Sequence, residues 1–427
     1  MVLFFKFTLI IVFLSHFLFN SKIILANDTL DQRYAMGTYL VNRVWFERDY
    51  LHWSEDIIRQ NLERQIKSFH ETGARFGRED FSWFNIEKSA GNFDWAANDL
   101  ALSYYDTTDE IQGLLTGAAE WDSDYPSGEQ ANARKYPARD DWAWERYIRE
   151  VVTRYKNRVK YWEIWSEGDC VDAQGVPVNF IPRPWKSRDE EYFRLLKIAY
   201  NTIKSIDPNL QVLINGFGSW NITGSLDDPG VGDGMVHYIM TYGDQPYFDI
   251  FNIHTYTGHD PAIEVTNSRT LLSHWPTTAN KEIWVTETNS HVYLRDHFGG
   301  QPGVTIARAT EYMRWWYQRH FDAGASKVFW FAINNWPCEP GTYCFEIPGL
   351  VSYMGANRQS TWYEFRDLVY GLPSLRAGWH TNFNISAIPE FCPFYSYKEN
   401  QGFWKTGVMN YSQSLSVIPS RLYFLCR

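Results

Sequence analysis

The 427-residue chain has a formal net charge of −10 and no run of Lys or Arg, which argues against a nucleic-acid partner. Its length suits one large domain plus an appendage around a substantial core, and beyond the amino terminus every long hydrophobic stretch is broken by charges, Gly or Pro, so none is apolar enough to span a bilayer. Aromatic residues make up 18% of the chain, with 20 Trp; such rings can stack on sugar C–H faces while their polar tips bond hydroxyls, so the composition permits a carbohydrate site.

In chain order, residues 2–19 form an apolar stretch carrying one Lys, and Ile24, Leu25 and Ala26 then offer a small-residue cleavage site before Asn27. This predicts a signal peptide over 1–26 and a secreted or lumenal mature protein that has no membrane partner after cleavage. An uncleaved anchor is the alternative, against which Ser15 and His16 interrupt the run and Asn20 ends it. Between 27 and 372, strand-like runs at 34–44, 74–80, 113–119, 159–166, 211–217, 248–255, 282–288 and 326–333 alternate with amphipathic segments. Helical spacing is clear at 56–73, 142–158, 190–206, 305–324 and about 360–371. Regular alternation of this kind predicts an α/β fold, a closed (β/α)8 TIM barrel rather than an open doubly wound sheet. No G-x-G-x-x-G turn follows the first strand to support a dinucleotide cofactor, and none is expected. Residues 373–427 change to Gly, Pro, Asn and aromatics in short alternating runs, which predicts a small β-rich C-terminal appendage.

Sequons at Asn27, Asn221, Asn384 and Asn410 would accept glycans in a eukaryotic secretory pathway. Of five cysteines, Cys338 with Cys344 and Cys392 with Cys426 are candidate disulfides in an oxidising compartment, which leaves Cys170 as an ordinary buried or half-buried thiol.

The active site of such a barrel lies at the C-terminal ends of its strands. Two predicted strands end in an acid: VKYWEIWSEGD places Glu167 at the end of the fourth, and KEIWVTETN places Glu287 at the end of the seventh. Cleaving an acetal with retention needs one carboxylate to attack the anomeric carbon and a protonated one to serve the leaving oxygen. A lone Glu at a strand end is more often a cap or a surface charge; it is the matched pair with flanking aromatics that carries the assignment. Glu163 lies four residues earlier, deep in the strand, where a structural ion pair is expected. The 11 His show no H-x-H or H-E-x-x-H spacing, so no metal is expected.

WEIWSEGD and EIWVTETN resemble the acid/base and nucleophile motifs of the clan A retaining glycosidases. The likeness covers nearly the whole barrel: Arg78, Asp80 and Trp83, then Gly91, Phe93, Asp94 and Trp95, match the second strand and its loop, FDIFNIHTY carries His254 and Tyr256 on strand six, GLVSYMGANRQSTWYEF leads into the last helix, and Trp330 matches a site-floor tryptophan. The resemblance implies a carbohydrate substrate, Glu167 as acid/base and Glu287 as nucleophile. Arg78 and Tyr256 would hold Glu287 ionised, and Glu167, drier and near a second negative charge, would keep its proton near neutral pH. Trp83, Trp121, Ser166, His254 and Trp330 complete the implied substrate contacts, although core packing competes for each aromatic and His254 could be structural. One departure stands out: Ser166 occupies the place of the clan's Asn before the acid/base, and a hydroxyl donates only one hydrogen. The substitution leaves open a carbohydrate-binding barrel that has lost turnover.

Overall fold

The computed structural model describes residues 30–372, apart from 126–127, 129, 171–178, 183–185, 220, 228, 291–301, 335–348 and 352–357, together with three strands of the tail. Eight parallel strands close into a barrel: β1 (Tyr34–Gly37), β2 (Phe76–Ser82), β3 (Glu110–Thr116), β4 (Val159–Ile164), β5 (Gln211–Leu213), β6 (Ile250–Thr255), β7 (Glu282–Thr288) and β8 (Lys327–Trp330). Each is followed by a helix: α1 (Glu55–Glu71), α2 (Ala96–Leu102), α3 (Asp141–Tyr155), α4 (Arg188–Ile206), α5 (Val231–Tyr242), α6 (Ala262–Ser273), α7 (Pro302–Asp322) and α8 (Ser360–Val369). The (β/α)8 expectation therefore holds. Among the described residues no helix is long and apolar enough to cross a membrane.

Helix starts follow local chemistry. Ser54, Asp140 and Ser187 each accept a backbone N–H of the first turn, at 3.5, 2.9 and 3.1 Å respectively. Acidic residues follow in every case, complementing the positive end of the helix dipole.

Inside the barrel, Ala35, Phe76, Leu213, Ile250, Trp284 and Phe329 fill one apolar layer. Side chains alternate along a strand, so the next inward residues after Phe76 on β2 are Arg78 and Asp80. The barrel thus changes from an apolar plug to a charged layer toward its C-terminal mouth.

One expectation is corrected. The run at 34–44 is not one strand: β1 ends at Gly37 and a short helix occupies Leu40–Trp45, with Tyr39 between them at φ 50°. The apolar residues of LVNRVW recur at helical as well as alternating spacing, and the buried Glu79 carboxylate accepts from Leu40 N and Val41 N at 2.9 Å each, satisfying the first turn. In the tail, residues 393–397, 404–408 and 423–424 form a separate antiparallel sheet with 393–397 in the centre. The proposed signal segment, Asn27, Asn384, Asn410 and the four candidate disulfide cysteines lie outside the described residues.

Candidate active site

β4 delivers Glu167 through a constrained loop. Trp165 and Glu167 both adopt left-handed backbone, at φ 68° and 49°, a conformation that costs about 1–3 kcal/mol for a side-chain-bearing residue and persists only where the surroundings over-determine it. β7 delivers Glu287 through a bulge. Ile253 and His254 are consecutive on β6, but their partners Val285 and Glu287 are separated by Thr286, and an extra residue of this kind re-aims the side chain that follows.

The two carboxylates converge. One oxygen of Glu167, one of Glu287 and a His254 ring nitrogen lie within 4.8 Å of one another. Glu287 accepts from Arg78 Nη1 at 2.6 Å, from the Tyr39 hydroxyl at 3.1 Å and from the Tyr256 hydroxyl at 2.8 Å. Burial pushes the Glu287 carboxyl up, but the His254 and Arg78 charges and the hydrogen bonds outweigh it and hold the pKa below the usual value. Burial also pushes the Tyr39 and Tyr256 phenols well above their ordinary range, so both remain donors. The expectation of a drier Glu167 is reversed: it is the more open of the two, with 26% of its side chain exposed against 14% for Glu287. It accepts from His254 Nδ1 at 2.9 Å and from Asn179 Nδ2 at 3.0 Å. His254 Nδ1 is also 3.6 Å from Glu287. Burial works against charging this histidine, yet Glu287 and Glu167 raise its pKa overall.

Beneath the pair, Arg78 is fully buried and donates through Nε to Glu163 at 2.9 Å. Gln112 also donates to Glu163, so Glu163 is the structural partner anticipated from its depth. Gly216 lies against this layer: a Cβ there would collide with His254 Nε2 and stand 2.8 Å from Glu163 Oε1.

Arg78, His254 and Tyr256 thus reach the acid pair, and Ser166 is adjacent and partly exposed. Two of the three tryptophans are fully buried and offer a ligand no surface. Phe329 faces the barrel interior, so Trp330 points outward and stacks on Tyr317 of α7 at 6.1 Å, fully buried. The inward ring is Phe331, 5.3 Å from Tyr39 and 6.1 Å from Tyr256. Trp83 is also fully buried. It stacks on Tyr147 at 5.2 Å and donates to Glu87 at 2.6 Å, so it supports the wall and offers a ligand no surface. Trp121 is partly exposed, but its indole N–H is spent on the Glu87 carbonyl at 2.9 Å and its ring packs edge-on to Trp83.

Sequence reasoning missed Tyr39, Asn179 and Phe331, and it matched Asp80 without giving it a role. Asp80 accepts from Asn42 at 2.6 Å, and burial pushes its carboxyl up to about 6 against the pull of Arg78. Tyr39 lies two residues past the end of β1, inside the run read as continuous strand. Asn179 lies 12 residues beyond Glu167 on a loop and offered no signal.

No family model matches the sequence. Solved structures do match in fold. A GH5_18 structure from Bifidobacterium longum subsp. longum superposes with TM-score 0.54 and 14% identity, covering 80% of this chain and 81% of that one. A monomeric β-xylosidase from Caulobacter crescentus gives TM-score 0.53 and 14% identity, with coverages of 80% and 68%. The chain shares its eight-stranded parallel barrel fold with these glycoside hydrolases. A family 39 glycoside hydrolase from Bacteroides cellulosilyticus gives TM-score 0.50 and 15% identity over 72% of this chain, which spans only 60% of that protein's length. At these identities the likeness is one of fold, and any chemistry rests on this barrel's own side chains.

Proposed function

We propose that the protein is a retaining glycoside hydrolase with Glu287 as nucleophile and Glu167 as acid/base. The observation that carries this reading is that one oxygen of Glu167 and one of Glu287 lie within 4.8 Å of each other at the C-terminal mouth of the barrel, close enough for both carboxyl groups to reach one anomeric carbon. Double displacement needs a separation of roughly 5–5.5 Å, whereas inversion leaves about 6.5–9.5 Å for a water. The asymmetry of the surroundings supports these roles: Glu287, held ionised by Arg78 and two phenols, is the group prepared to attack.

In the first half-reaction a Glu287 oxygen bonds to the anomeric carbon, the bond to the leaving oxygen breaks, and Glu167 transfers its proton to that oxygen. In the second, Glu167 takes a proton from water, the water oxygen attacks the anomeric carbon, and Glu287 leaves as a carboxylate. His254 contacts both acids and so compensates whichever is charged. The partner is a carbohydrate, and the apolar leader supports a secreted destination. Because the Caulobacter crescentus neighbour is a β-xylosidase, aryl β-xylosides head the substrate screen.

Ser166 favours the rival reading, a carbohydrate-binding barrel without turnover. A panel of 2-fluoro-sugar inactivators separates the two. A mass adduct on Glu287 is the expected result; binding of the parent sugar without any adduct or turnover would instead establish the binding protein. Glu167→Gln should slow substrates with poor leaving groups most, since activated aryl glycosides need little acid help.

A further inference from the structure

We infer that Asp169 is a positioning residue for Glu167, and that the Asn221 side-chain nitrogen, the atom an N-linked glycan would occupy, is committed to the same clamp. The left-handed backbone at Glu167 requires an external restraint. The restraint is the segment that follows β5. Glu167 N donates to Gly216 O at 2.9 Å and Gly168 N donates to Asn215 Oδ1 at 2.9 Å. The Asp169 carboxylate then accepts from Asn215 Nδ2 at 3.0 Å, from Gly218 N at 3.0 and 3.2 Å, and from Asn221 Nδ2 at 2.7 Å. Asn215 is itself fixed, its N–H donating to the Tyr192 hydroxyl at 2.6 Å, and Arg188 donates to Asp169 O at 2.9 Å.

Asp169 is fully buried, and burial pushes its carboxyl up to about 6 despite all these donors. An unpaired carboxylate could not stay charged there, so three converging donors are what make it tolerable. The bonds tie residues 167–169 to 215–221, and so hold Glu167 toward His254 and Asn179 while its side chain stays partly open to a ligand. In Asn221-Ile222-Thr223 the acceptor amide has no freedom to carry a sugar: its N–H points at Asp169, and its own carbonyl accepts from Gly232 N at 2.9 Å.

The kinetic test rests on the glycosidase reading; the glycan test does not. Asp169→Asn keeps the shape and removes the charged acceptor. If Asp169 positions the acid, kcat/KM should fall about tenfold or more on an aryl glycoside with a poor leaving group and less than about threefold on an activated one. An equal loss on both, with a lowered thermal midpoint, would reduce Asp169 to a structural role and overturn the inference. Asn221→Ala should show the same split at smaller size. An inactive wild type would count against the glycosidase reading alone. The second arm then decides: the full chain is expressed in a eukaryotic secretory host, and the peptide containing Asn221 is mapped by mass spectrometry. The folded, secreted fraction should carry it unmodified, and a glycan on Asn221 in that fraction would refute the clamp.

Discussion

The tightest packing constraint in the site is at Gly216, and its consequence can be worked out. Adding one methyl group, in Gly216→Ala, would force it onto His254 Nε2 and to 2.8 Å from Glu163 Oε1. Neither neighbour can easily give way. The His254 ring is held by Nδ1 on Glu167 at 2.9 Å, and Glu163 is held by Arg78 at 2.9 Å. Overpacking of this sort costs about 1–3 kcal/mol, and a barrel of this size should lose no more than about 2–4 °C of thermal midpoint per kcal/mol. If strain is relieved by turning the imidazole, the charge-assisted bond to Glu167 is lost, worth about 1.5–3 kcal/mol, or roughly tenfold to a hundredfold in kcat/KM. The assay is kcat/KM on the aryl glycoside the wild type turns over fastest, with differential scanning fluorimetry in parallel. Full activity with an unshifted midpoint would mean that the site is looser than described and that His254 does not need its present position.

Three further outcomes follow from the same geometry. Arg78→Met should destabilise the fold by about 3–5 kcal/mol as well as abolish turnover, because it strands two buried carboxylates; chemical denaturation checks this, and a midpoint equal to wild type would contradict the pairing. Tyr256→Phe removes a donor that lowers the Glu287 pKa. Activity needs the ionised carboxylate, so it is lost as pH falls through that pKa, and the acidic limb of the pH–kcat/KM profile should move upward while the rate near neutrality is largely kept. A uniform drop without displacement of the limb would show that the phenol acts otherwise. The trio of Glu167, His254 and Glu287 could in geometry also hold a divalent ion, but Arg78 already supplies positive charge to Glu287, so EDTA should leave turnover unchanged. Loss on chelation and recovery with a metal would replace the mechanism.

The barrel was legible because alternation of strands and helices is a property of local sequence, and the order of eight such units leaves few topologies. The acids were legible for the same reason: Glu167 and Glu287 follow recognisable strands, and strand ends are where such barrels work. What failed was parity and distance. Trp330 and Phe331 are adjacent, and placing the wrong one inside is a slip of a single residue, which inverts a strand's facing. Tyr39 was hidden because its segment was read as continuing strand, and Asn179 because nothing local ties a loop residue to a carboxylate 12 positions earlier.

Arg78 joins β2 to Glu163 on β4 and Glu287 on β7, so it braces the barrel across its width at zero exposure. On the glycosidase reading, that location makes loss of turnover unequally accessible to mutation. A descendant freed from its reaction could change the partly exposed residues 166 and 167 at small thermodynamic cost, but not residue 78 or 163. Decayed relatives of this protein should therefore keep the girder long after they have discarded the blade.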